Sequence, residues 1–86
     1  MKKHTKIYLA ACGYSTCDII VCEICGTVAV DIHHIDPRGI GGSKHKDNIE
    51  NLIALCRDCH DNAEAGKITR EELFEIVRLR ICRLLQ

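Results

Sequence analysis

Seven cysteines stand at positions 12, 17, 22, 25, 56, 59 and 82, and four of them form two C-x-x-C pairs, Cys22 with Cys25 and Cys56 with Cys59. An odd count fits a disulfide framework poorly. Each close pair presents two thiolates to one tetrahedral ion, and two pairs complete a closed structural zinc site, whereas a redox dithiol needs a single pair. The chain needs such a staple. Its 86 residues hold one domain, read as 1–86, and with no Trp, one Phe and two Tyr the large core side chains are scarce.

Twelve Lys and Arg balance twelve Asp and Glu, so the formal charge is zero. That excludes a nucleic-acid binder working by bulk positive charge, and the composition also excludes a disordered tail, a multidomain enzyme and a membrane protein. The apolar stretch from Ile7 to Ala11 is too short for a signal peptide, whose core needs about 7 to 15 apolar residues. The expectation is a cytoplasmic chain with reduced thiols. Cys12, Cys17 and Cys82 then read as buried small apolar residues.

Along the chain, residues 5–12 read as a short helix with Thr5 as N-cap and Gly13 as stop. Cys22-Glu-Ile-Cys25-Gly26 reads as a zinc knuckle in which the glycine lets the backbone curl. The β-branched run 27–33 alternates with period two, predicting a strand with Val28, Val30 and Ile32 on one face and Ala29, Asp31 and His33 on the other. Residues 37–43 collect the one Pro and three of the six Gly, which predicts a loop. Asp47 to Asn51 is a turn or short helical segment, and Leu52 to Leu55 a short strand able to pair with 28–33. A helix of two to three turns opens at Cys56 and stops near Gly66. A longer one spans about 69–85, with Thr69 and Glu72 as a capping box and Leu73, Ile76, Val77, Ile81 and Leu84 at helical spacing.

The order Cys22-x-x-Cys25, Asp31-Ile-His33-His34-Ile35, Gly41-Gly42, Asn51-Leu, Leu55-Cys56-x-x-Cys59-His60 resembles the HNH endonuclease family, whose letters are His34, Asn51 and His60. The resemblance implies an α+β fold, a small zinc-stabilised ββα-metal (treble-clef-like) domain with a motif core at 22–64, a short N-terminal helix and a longer C-terminal one. It implies that His33 and His60 hold one catalytic divalent metal ion, that His34 is the general base, and that Asn51 ties down the loop and orients His34. The four thiolates would hold zinc as scaffold only. Hydrolysis would leave a 5′ phosphate and a 3′ hydroxyl.

The residues make these roles chemically reasonable. Neighbouring strand residues point to opposite faces, so His33 and His34 divide the work, one toward a metal and one toward water. His60 follows the last thiolate and is held rigid by it. Two neutral imidazoles leave a divalent ion open for water and a phosphate oxygen. Histidine, with an ordinary pKa of about 6.5, is a competent base at neutral pH.

Where many relatives carry a third histidine four residues after His60, this chain has Glu64, expected either as a third ligand, suited to a hard ion, or as a partner supporting the ligands. Mg²⁺ or Mn²⁺ is therefore expected, with Ni²⁺ or Zn²⁺ as alternatives, and Asp31 is a supporting candidate beside Glu64. Arg38 is the candidate phosphate contact, joined by Arg78, Arg80 and Arg83. The expected function is metal-dependent hydrolysis of DNA phosphodiester bonds. The compact form suggests a phage or mobile element, whose other proteins would be partners. The rival is a treble-clef zinc module that binds nucleic acid or protein without cutting.

Overall fold

A computed structural model describes residues 2–36 and 48–84. It is an α+β fold of three helices and one two-stranded sheet: α1 (Lys3–Cys12), β1 (Asp31–His34), a 3-10 turn (Ile49–Asn51), β2 (Leu52–Leu55), α2 (Arg57–Glu64) and α3 (Arg70–Leu84). The predicted loop at 37–43, with Arg38, Gly41 and Gly42, lies outside the described residues. Among those described, no helix is long and apolar enough to cross a membrane.

The strands run antiparallel, with Asp31 opposite Leu55, Ile32 opposite Ala54, His33 opposite Ile53 and His34 opposite Leu52. All four β2 residues are buried, which requires cover on both faces of the sheet. On one face Ile53 and Leu55 pack with Cys22, Ile35, Cys59, Leu73 and Val77, beneath α2 and α3. On the other, Leu52 and Ala54 pack with Ile32 and with Tyr8 of α1. Complete burial of side chains such as Leu52 and Ile53 contributes about 1.5–3 kcal/mol each.

The helix ends follow local chemistry. Gly13, at φ 78°, takes the left-handed turn that closes α1. Cys56 caps α2 by accepting the Cys59 N–H on its sulfur at 3.4 Å. Thr69 Oγ1 accepts the Glu72 N–H at 3.1 Å, the first half of the capping box. The N-terminus of α1 differs from expectation. Lys2 is the extended residue before it and Thr5 lies inside the helix, so the helix carries His4 as well.

Three further expectations are corrected. The strand begins at Asp31, and not at Thr27, because the backbone of 27–29 turns to the knuckle: the Cys22 N–H donates to Thr27 O at 2.6 Å and the Ala29 N–H to Ile20 O at 2.9 Å. Val28 and Val30 are left 61% and 55% exposed. Cys17 and Cys82 are exposed and are not core residues, whereas Cys12 is half-buried and packs against the edge of the Tyr8 cluster.

Arg80 is the third correction. It is 7% exposed and sits in the same helical row as Leu73 and Val77. Its Nη1 donates to Glu23 Oε2 at 2.6 Å and to Leu52 O at 3.0 Å, and its Nη2 donates to Ile49 O at 2.8 Å. The same Glu23 oxygen accepts the Tyr8 hydroxyl at 2.8 Å and the Ala54 N–H at 3.2 Å. Arg80 therefore ties α3, β2 and the knuckle together and is not a phosphate contact. Arg78 is engaged with Glu75 on its own helix, its Nε donating to Oε2 at 3.0 Å.

Candidate active site and metal centres

The first cluster is the four-cysteine one. The sulfurs of Cys22, Cys25, Cys56 and Cys59 all lie within 4.8 Å of one another, and Cys25 Sγ is 3.5 Å from Cys56 Sγ. A tetrahedral ion with Zn–S bonds of about 2.3 Å places its sulfurs about 3.8 Å apart, so the spacing suits zinc. Backbone N–H groups of Ile24 and Cys59 point at Cys22 Sγ and Cys56 Sγ, each at 3.4 Å. Gly26, at φ 79°, lets the knuckle turn back.

The thiols differ in their readiness to ionise. A hydrogen bond with Thr27 lowers Cys25, and the Cys59 N–H lowers Cys56. Burial pushes Cys59 up. A cation at the centre of the cluster is what brings such a buried thiol to the thiolate form. The four-cysteine cluster thus fits a structural zinc that joins the knuckle to the start of α2.

The second cluster follows from β1. Asp31 and His33 stand opposite Leu55 and Ile53, on the face covered by α2, while His34 stands opposite Leu52, on the face covered by α1. His33 accordingly meets His60 of α2, with ring centroids 5.0 Å apart. One helical turn on, Glu64 Oε1 lies 3.1 Å from His60 Nε2. Donor atoms of His33, His60 and Glu64 lie within 4.8 Å of one another.

This donor set also fits a divalent ion. Ligand atoms on adjacent positions of an octahedral ion with bonds of about 2.1 Å are about 3.0 Å apart, close to the His60–Glu64 separation. His60 Nδ1 is buried with no hydrogen-bond partner, and Asp31 Oδ2 is 3.8 Å from it. Burial, followed by the neighbouring His60, holds His33 below the ordinary histidine range, which favours the neutral, ligating form.

His34 is turned away from this cluster and packs on His4, with ring centroids 4.4 Å apart. Both pairs border one open cleft of about 450 Å³, lined also by Asp31, Glu64 and Lys2. Asn51 is 7% exposed and clasps the chain just past His34. Its Oδ1 accepts the Asp36 N–H at 2.8 Å, its Nδ2 donates to Asp36 O at 3.0 Å, and its own carbonyl accepts the Ile35 N–H at 2.9 Å.

Sequence reasoning missed His4 and Glu23 and gave Arg80 the wrong place. His4 belongs to no motif, and its position depends on how α1 docks. Glu23 sits between two metal-ligand cysteines and reads as filler. Arg80 did leave a signal, since it occupies a core register of an otherwise amphipathic helix.

Comparison with known proteins agrees with this arrangement. The Escherichia coli (strain K12) Type IV methyl-directed restriction enzyme EcoKMcrA is 32% identical over 74 residues, which cover 74% of this chain and 25% of that protein. The chain thus spans about a quarter of the length of that relative. No solved structure matches. A family model described as HNH endonuclease matches residues 22–66, just over half of the chain and the stretch that holds both clusters and Asn51. The chain belongs to the HNH endonuclease family.

Proposed function

We propose that the domain is a metal-dependent endonuclease that hydrolyses DNA phosphodiester bonds. His33, His60 and Glu64 would hold one divalent ion, with Mg²⁺ or Mn²⁺ favoured by the carboxylate. When bound, that ion supplies positive charge beside the scissile phosphate and the departing oxygen. The observation that supports the reading is the alternation of β1, where His33 turns to His60 and Glu64 while His34 turns the other way and borders the same cleft.

In this reading His34 accepts the proton of a water molecule, whose oxygen attacks phosphorus. The bond to the 3′ oxygen breaks, that oxygen takes a proton from solvent, and the products are a 5′ phosphate and a 3′ hydroxyl. Asn51, by clasping Asp36, holds the backbone behind His34 in place. Asp31 Oδ2, 3.8 Å from His60 Nδ1, would place negative charge behind that ring without a hydrogen bond to it. The four cysteines would hold a zinc ion, and through Cys56 and Cys59 this would fix the start of α2 and so the position of His60.

The test is plasmid cleavage with Mg²⁺, Mn²⁺ or Ni²⁺, comparing wild type with His34→Ala. Cleavage by the wild type and loss of about 10²–10⁴-fold in the variant is the expected result, the range for removing a general base. Equal cleavage by both contradicts the mechanism. No cleavage by either, with any of the three ions, favours a zinc module that binds without cutting.

A further inference from the structure

We infer that His4 is a positioning residue for His34. The alternation of β1 puts His34 on the face that α1 covers, and α1 is anchored there by the buried Tyr8 and Leu9. One turn before Tyr8, His4 lies on the same side of the helix and lays its imidazole on that of His34, with centroids 4.4 Å apart and planes tilted by 56°. The other face of β1 is built the same way, with His60 of α2 against His33. Each histidine of the adjacent pair is thus held by a histidine from a different helix.

His34 needs such a wall. It is the last residue of β1, and the ladder before it and the Asn51 clasp after it fix its backbone, which leaves the direction of the imidazole to the side chains packed on it. A base must be aimed within hydrogen-bond reach of the water it deprotonates, and a misplacement of about 1 Å can cost about 10²-fold in rate. The His4 ring restricts the rotation of the His34 ring where the two border the cleft. His4 is half-buried, so its replacement leaves the core and both metal clusters in place.

The inference rests on His34 being the base, and two readouts on the zinc-loaded chain keep the two ideas apart. The first is the NMR signals of the histidine rings. His4→Ala is expected to move the His34 ring resonances and leave those of His33 and His60 in place, and unmoved His34 signals overturn the inference whatever the activity. The second is plasmid cleavage. His4→Ala is expected to lower kcat by about 10–100-fold with KM changed by less than about twofold, and His4→Phe, which keeps an aromatic wall, to recover most of the loss. His4→Ala cleaving like the wild type, or His4→Phe as slow as His4→Ala, overturns the positioning role. An inactive wild type, or a His34→Ala variant that cleaves normally, refutes the underlying base reading, and the inference falls with it.

Discussion

Glu23 and Arg80 are 57 residues apart in sequence and meet at 2.6 Å, with their side chains 11% and 8% exposed. One end of this pair lies inside the first C-x-x-C and the other in the C-terminal half of α3, so it locks the knuckle onto the C-terminal helix. Removing one partner strands the other charge in a low-dielectric interior. Arg80→Ala is expected to destabilise the zinc-loaded protein by about 3–5 kcal/mol in a denaturant titration. A loss below about 1 kcal/mol would mean that the pair behaves like an exposed one.

Tyr8 gives the fold a pH dependence. Burial, reinforced by Glu23, raises its pKa well above the ordinary tyrosine value. The folded chain then keeps the phenol proton at a pH where the unfolded chain has lost it. The stability from this group is complete below about pH 10 and falls as pH rises above it. Tyr8→Phe is expected to be less stable at neutral pH, for loss of the bond to Glu23, but to show a shallower decline above pH 10. Parallel stability curves for the two proteins would contradict this.

Metal removal should act in two stages. A chelator that strips the His33–His60–Glu64 site is expected to leave the far-ultraviolet circular dichroism unchanged, because those side chains border an open cleft. Stripping the four-cysteine site is expected to unfold the domain, since small zinc-stapled folds draw about 10–16 kcal/mol of apparent binding energy from the ion. Retention of full helicity without zinc would contradict the scaffold role.

Glu64 stands where a softer ligand would change metal preference. Glu64→Ala is expected to weaken Mn²⁺ binding by about 10–100-fold and to lower cleavage with it, while Glu64→His shifts the preference toward Ni²⁺ or Zn²⁺. Isothermal titration of the zinc-loaded variants checks both. Unchanged Mn²⁺ affinity in Glu64→Ala removes the residue from the ligand set.

Much of this architecture is legible in the sequence because it is local. The two C-x-x-C pairs, the capping box at Thr69, the apolar run 52–55 and the order of His33, His34, Asn51 and His60 carry their meaning within a few residues of themselves. What the sequence hid depends on distant partners. The β-branched run at 27–30 reads as a strand, but its backbone groups are taken by Ile20, Cys22 and Leu55. Arg80 reads as a surface cation until Glu23, Leu52 and Ile49 surround it. His4 meets His34 only through the docking of α1 on the sheet face opposite the four cysteines.

The central claim is that the two adjacent histidines of β1 do different work, His33 holding the metal and His34 acting on water. Mn²⁺ binding to the zinc-loaded chain, followed by electron paramagnetic resonance, separates them most directly. The wild type and His34→Ala are each expected to bind one Mn²⁺ with affinities within about threefold of each other, and His33→Ala to lose at least about 10-fold. Loss of Mn²⁺ binding in His34→Ala, or its retention in His33→Ala, would contradict the account.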